Sequence, residues 1–222
     1  MNWEDEGYLL SKKKFRENAV IISAFTLKHG KITGIVYGGT SRKVKNYLQI
    51  GNKIFIIYNS KNRNKIGYLK TEIIEAISPR YFNDKKRSFL LLSITDLLNT
   101  LLPDDQTNKN IYLSLNSLIK NLDHKSWPIL YSFWEIDLIR ELGFGFQADK
   151  TNLSNDILSV NIDNVVYKVP KFIINGEIPE TFSKEIINQA LAFSRNLLLN
   201  KFYIPNNLFL PRSRVVFENC FS

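Results

Sequence analysis

Three groups of cations crowd the first third of the chain. They are Lys12-Lys13-Lys14 with Arg16, Arg42-Lys43 with Lys45, and Lys61 with Arg63 and Lys65. Such side chains neutralise phosphates, and each group falls at or near the end of an expected strand or in a loop. Aromatic residues are interleaved with them: Phe15, Phe25, Tyr37 and Tyr47. Single-strand binding needs both types, because cations hold the backbone while rings stack on unpaired bases, at about 1–3 kcal/mol per base. Phe25 and Tyr37 sit in apolar strand-like runs and are expected in a core. Phe15 and Tyr47 lie beside the cations and are the stacking candidates. The expected nucleic-acid-binding set is therefore Lys12, Lys13, Lys14, Phe15, Arg16, Arg42, Lys43, Lys45 and Tyr47.

The distribution of charge supports a binding face. The 222 residues carry a net charge of +9. Residues 1–80 hold 15 Lys and Arg against 6 Asp and Glu, and residues 81–222 hold 15 of each, so the whole surplus lies in the first segment. A segregated surplus of this kind suits a polyanionic partner. If about five cations meet a single strand, log K falls with log salt at a slope near −3.5, and a fourfold rise in salt weakens binding about a hundredfold. Contacts to phosphate carry no base information, so binding of this kind is not sequence-specific.

Catalytic constellations do not emerge from the sequence. There is no G-x-x-x-x-G-K-[ST] loop, no G-x-G-x-x-G and no G-x-S-x-G elbow. Gly143-Phe144-Gly145 is too short to cradle phosphate and reads as a helix stop. His29 and His124 are the only histidines, and His29 is expected to be exposed in a turn. Asp104-Asp105 follows Pro103 and reads as a loop or helix cap rather than a metal site. Cys220 is the only cysteine, which excludes an internal disulfide and a cysteine-rich zinc site. The expectation is a non-enzymatic binding protein with no cofactor and no metal.

The elements that must carry these residues change character near Pro79. Before it come five short β-type runs: Gly7 to Lys14, Ala19 to Thr26, Ile32 to Tyr37, Ile54 to Tyr58 and Tyr68 to Ile77. Turn residues separate them, among them Gly38-Gly39 and Gly51-Asn52. Five strands in about 80 residues suit a small closed barrel of the oligonucleotide/oligosaccharide-binding (OB) type. After Pro79 the period becomes helical. Apolar stripes run over Leu90 to Leu101, Ile111 to Leu122, and Leu130 to Leu142, the last with Ser126 as N-cap, Pro128 in the first turn and Gly143 as stop. A fourth helix starts near Ser183. Between the third and fourth, Ser159 to Tyr167 reads as a hairpin turning at Asp163-Asn164. The expected class is α+β: an N-terminal five-stranded OB-fold β-barrel over 1–80, then an α-helical domain with a short β-hairpin over 81–222. The acidic start lacks a secretory core, and the apolar run Ser88 to Leu102 is interrupted by Asp96 and too short to span a bilayer. A cytoplasmic, bacterial setting with no membrane partner is expected.

Several stretches, in this order and spacing, resemble the RecO family of DNA repair proteins. They are Trp3-Glu4-Asp5-Glu6-Gly7-Tyr8-Leu9-Leu10-Ser11, Glu17-Asn18, His29-Gly30-Lys31, and Gly38-Gly39-Thr40-Ser41-Arg42. Leu48-Gln49-Ile50-Gly51-Asn52 is similar to that family's L-Q-P-G element, with Ile50 in place of Pro. Glu141-Leu142-Gly143-Phe144-Gly145 is similar to its L-G-F-G helix end. The resemblance implies an OB-fold domain followed by a helical domain. It also implies a recombination mediator that binds single- and double-stranded DNA and anneals complementary strands. The implied partners are RecR and the acidic C-terminal tail of single-strand-binding protein (SSB), with RecA loaded indirectly, and the implied location is the nucleoid. A groove for such a tail would be apolar and rimmed by cations, for which Arg140 and Arg195 are conceivable. Some members carry a four-cysteine zinc module after the L-G-F-G element. Here Ser154, Ser159 and the Asp163-Asn164 turn occupy that region instead. Two other readings share the residues: a nuclease, and an RNA- or ribosome-associated OB protein.

Overall fold

The computed structural model describes residues 1–60, 66–146 and 156–222. Lys61, Arg63, Lys65 and Ser154 lie outside the described residues. Two compact units result, one of residues 1–112 and 211–217, the other of residues 113–210 and 218–222.

The first unit is built on five strands: β1 (Asn2–Arg16), β2 (Ala19–Thr26), β3 (Gly30–Tyr37), β4 (Lys53–Asn59) and β5 (Gly67–Glu75). They close into a barrel in the order β1-β2-β3-β5-β4, antiparallel except for the β3–β5 seam. This is the expected OB architecture. β1 is longer than the sequence suggested because it pairs twice. Its start, Asn2 to Tyr8, lies along β4, and Gly7 to Arg16 lies along β2. The interior holds Leu9, Val20, Ile22, Ala24, Ile32, Val36, Ile54, Ile56 and Leu69, with Leu48 from the β3–β4 connection. On β2 these are alternate residues, as a pleated strand with one face inward requires. Full burial of a side chain of this size contributes about 1.5–3 kcal/mol.

A short helix, α1 (Arg42–Tyr47), lies between β3 and β4. It was not expected from the sequence. Six residues present no apolar stripe, and the signal is only the Ser41 cap, whose hydroxyl accepts from the Val44 N–H at 3.4 Å. His29 departs from expectation in the opposite direction. It is half-buried, its ring stacked 3.8 Å from that of Trp3, and Trp3 in turn stacks on Tyr58 at 4.7 Å. The His29 Nδ1 lies 3.0 Å from the buried Asp5 carboxylate, which also accepts from the Lys28 N–H. Its turn is therefore a packed corner. Asp104 and Asp105 do form a loop: the Asp105 N–H donates to the Lys31 carbonyl, and Lys31 pairs with Asp104 at 3.1 Å. Outside the barrel, the first unit adds α2 (Lys85–Leu101), capped by Asp84.

α3 (Lys109–Lys120) contains the point where the first unit gives way to the second. The second unit continues through α4 (Trp127–Ile139), β6 (Ile157–Ile162), β7 (Val165–Pro170), α5 (Lys171–Asn175) and α6 (Lys184–Leu198). α7 (Arg212–Glu218) closes the chain. Gly143, at φ 94°, stands in the wide turn that ends α4, as expected of a stop. Ser126 precedes α4 but its side chain makes no cap bond. β6 and β7 pair antiparallel about Asp163 and Asn164, both at positive φ, which is the two-residue hairpin expected there. The fully buried Glu135 carboxylate is held by the Tyr131 hydroxyl at 3.0 Å and the Ser194 hydroxyl at 2.6 Å, so α4 and α6 share a satisfied polar contact.

Candidate nucleic-acid interface

The β1–β2 register decides where the first cation cluster points. Paired residues in an antiparallel ladder share a face. Leu9 pairs with core Ala24, but the register then shifts around Leu10. After the shift Lys12 pairs with Ile22 and Lys14 with Val20, both core residues. Lys12 and Lys14 therefore continue the interior face past the end of the barrel, where α1 sits. Lys13, opposite Ile21, and Arg16, opposite Ala19, project from the outer face. A second register shift leaves Phe15 unpaired between Lys14 and Arg16.

Lys12 meets α1 directly. Its Nζ donates to the Leu48 carbonyl at the end of that helix, at 2.6 Å. Partial burial holds its amine below the usual lysine range, and the nearby Lys45 charge pushes in the same direction. The structure thus brings the β1 and α1 cation clusters together. Lys13, Lys14, Arg16, Arg42, Lys43 and Lys45 are exposed. Among the described residues, none of these seven cations has a carboxylate within salt-bridge distance. Three other cations of the barrel region are matched, Lys31 by Asp104, Lys53 by Glu6 and Arg80 by Glu75, whereas Lys28 and Lys70 are exposed and make no salt bridge among the described residues. The seven cations of β1 and α1 therefore form an unneutralised group on these two elements.

The aromatic residues divide differently from the sequence expectation. Phe15 is exposed, with the Arg16 guanidinium 5.2 Å from its ring centre. Tyr47 is half-buried and anchored, its hydroxyl donating to the Thr71 carbonyl at 2.6 Å. Phe25 is core, covered by Tyr112 of α3 at 5.7 Å. Tyr37, expected in the core, is 52% exposed and lies 5.4 Å from the equally exposed Tyr68 in a stacked pair. The reason is the strand period. Ile32 and Val36 point inward, so Tyr37 points out, and no helix covers it as α3 covers Phe25. The exposed Tyr37–Tyr68 pair is not expected from the sequence, although counting from Val36 places Tyr37 on the outer face.

In the helical unit, Arg140 pairs with Asp137 at 2.7 Å and Arg195 with the buried Glu218 at 2.8 Å. Both rim candidates are therefore charge-matched within their own unit. No group of three or more His, Cys, Asp or Glu side chains positioned to hold a metal ion occurs among the described residues. No helix among them is long and apolar enough to cross a membrane.

Comparison with known proteins settles the lineage. The family described as Recombination protein O N terminal matches residues 1–77, and that described as Recombination protein O C terminal matches residues 83–168. Proteins named DNA repair protein RecO are similar along most of the chain. The one from Roseobacter denitrificans is 29% identical over 77% of this chain and 69% of its own length. That from Ehrlichia chaffeensis is 30% identical over 70% and 64%, and that from a Ruegeria species 30% identical over 72% and 68%. The chain belongs to the RecO family of DNA repair proteins. The matched stretch thus spans about two thirds of these RecO proteins. All nine expected DNA-binding residues fall within the N-terminal RecO match. The zinc module of some RecO members does not fit this chain, because Cys220 alone cannot supply four thiolates.

Proposed function

We propose that this chain is a non-enzymatic recombination mediator that grips DNA by its phosphates at the cationic end of the barrel. The observation that carries this reading is the convergence of the β1 and α1 cations without carboxylate partners. Polyanion binding releases counterions most effectively where cations are not already neutralised. Single and double strands both present phosphates, so both are ligands of this surface.

Annealing follows from the same charge map. Two complementary strands repel through their backbones. A surface with an excess of cations screens both while leaving the base edges free to pair. In this reading RecR and the SSB tail engage the chain, and RecA is loaded as the consequence. The helical unit, in the segment whose formal charge balances, is the place for those protein contacts.

The test is annealing of complementary oligonucleotides, bare and SSB-coated, alongside a divalent-metal-dependent cleavage assay. Accelerated annealing on both substrates with no cleavage is expected. Cleavage products would favour a nuclease. Annealing that stops when SSB is present would remove the mediator role and leave an RNA- or ribosome-associated OB protein as the better reading.

A further inference from the structure

The β3–β5 seam is the weak join of the barrel. Among the described residues these two strands run parallel and pair only at Gly34–Gly67 and Ile35–Tyr68. Glycine is needed there on both sides. A Cβ on Gly34 would come within 2.5 Å of Leu69, and one on Gly67 within 2.3 Å of the Tyr58 ring. Beyond Ile35 the ladder ends, and a cleft of about 560 Å³ opens between the two strands and α1.

The cleft has the chemistry of a base site. Val36, Val44 and Leu69 contribute apolar surface to it. Tyr37 and Tyr68 stand at it as a stacked, half-exposed pair, with their rings 29° from parallel. Tyr47 is fixed beside them through its bond to Thr71, so that part of the wall is preorganised. None of the lining residues among those described is acidic, and Lys70 is exposed at the rim. On α1, the turn that supplies Val44 and Tyr47 to the cleft also carries Lys43 and Lys45.

We propose that this cleft seats one unpaired nucleobase, stacked on the Tyr37–Tyr68 pair, of a strand whose phosphates lie on the α1 cations. The inference rests on the DNA-binding reading above and adds a division of labour to it. The cations hold any phosphate backbone. The cleft admits only a base that has left its partner, since a base within a duplex is stacked on both faces and offers only its edges. Preference for single strands is then located in two tyrosines rather than in charge. Because every base has a π-face, the site tolerates all four.

The experiment uses the full chain and fluorescence anisotropy over a series of salt concentrations that begins at low salt. Its ligands are a single-stranded oligonucleotide, the same strand with abasic sites, and the corresponding duplex. The Tyr37→Leu/Tyr68→Leu double variant is expected to lose roughly tenfold or more in affinity for the single strand. Duplex affinity and the salt slope are expected to stay as in the wild type. The abasic strand is expected to bind the wild type about as weakly as the intact strand binds the variant. The Tyr37→Phe/Tyr68→Phe variant, which keeps the rings, is expected to restore binding. Unchanged single-strand affinity in the Leu variant, with wild-type thermal stability, overturns the base site and leaves the cation reading standing. Equal loss on duplex and single strand also overturns it. Failure of the wild type to bind any of the three ligands at low salt sinks the DNA-binding reading itself.

Discussion

Lys12 has two charged lysine neighbours in sequence, yet only it turns back against α1 and spends its amine on a backbone carbonyl. Burial and then the Lys45 charge lower its proton affinity. A lysine depressed in the folded state releases its proton there before it does in the unfolded chain. Stability therefore rises as pH increases through that window, while the proposed DNA-binding surface loses one cation. Replacing Lys45 with Ala removes the second cause and leaves the first. The Lys12 titration, followed by NMR of the side-chain amines, is expected to move up towards the ordinary lysine value of about 10.4 without reaching it. No movement would mean that the two clusters do not feel each other. That the cations matter was legible in their grouping. Which of them face each other was not, because the register shift at Leu10 reverses the faces of Ser11 to Lys14 before a second shift at Phe15.

At the scale of elements, periodicity foretold the large pieces and missed the small one. Strands β2 and β4, helices α2 to α4 and α6, and the hairpin at Asp163-Asn164 all follow from alternation, helical stripes or turn chemistry. α1 does not, since Arg42-Lys43-Val44-Lys45-Asn46-Tyr47 shows no stripe and its place depends on the barrel end it covers. The exposed Tyr37 failed for a related reason: a strand's outer face is core or surface according to what packs over it, and no local pattern states that. Helix starts offer a cleaner test. Asp84 caps α2 by accepting from the Arg87 N–H at 3.0 Å. Burial raises its pKa, but the Arg87 N–H and guanidinium outweigh it, and the carboxyl is held below its ordinary range. Asp84→Ala is expected to cost about 1 kcal/mol in urea unfolding at neutral pH. A depressed carboxylate contributes above its unfolded pKa of about 3.9, so the difference should shrink as pH falls through the folded value. A gap that stays constant into acid would mean that the charge of the cap contributes nothing.

For the first unit as a whole, titration gives a second handle. The Tyr8 and Tyr112 phenols meet at 5.6 Å, and burial, reinforced by the Glu6 charge, pushes both above the ordinary tyrosine range. Above about pH 10 the unfolded chain releases protons that the folded chain keeps, so stability falls as pH rises. Tyr112→Phe removes one such group. The alkaline decline in thermal midpoint is expected to be shallower in that variant, and an identical decline would contradict the assignment. At the scale of the whole molecule the proposal is electrostatic: the seven β1 and α1 cations, which have no carboxylate partner among the described residues, carry the DNA affinity. Lys31, Lys53, Arg80 and Arg87 on the first unit are paired with carboxylates, and the net charge of +9 is otherwise compatible with a merely soluble surface. Only a measurement that counts the phosphates engaged separates these two cases.

That measurement is the salt dependence of single-strand binding by the full chain, wild type against the Arg42→Gln/Lys43→Gln/Lys45→Gln variant. The wild type is expected to give a log–log slope near −3.5 for about five contacts, and loss of three cations should flatten it by about 2 on every sequence tested. A variant that keeps the wild-type slope would place the DNA elsewhere and contradict the account.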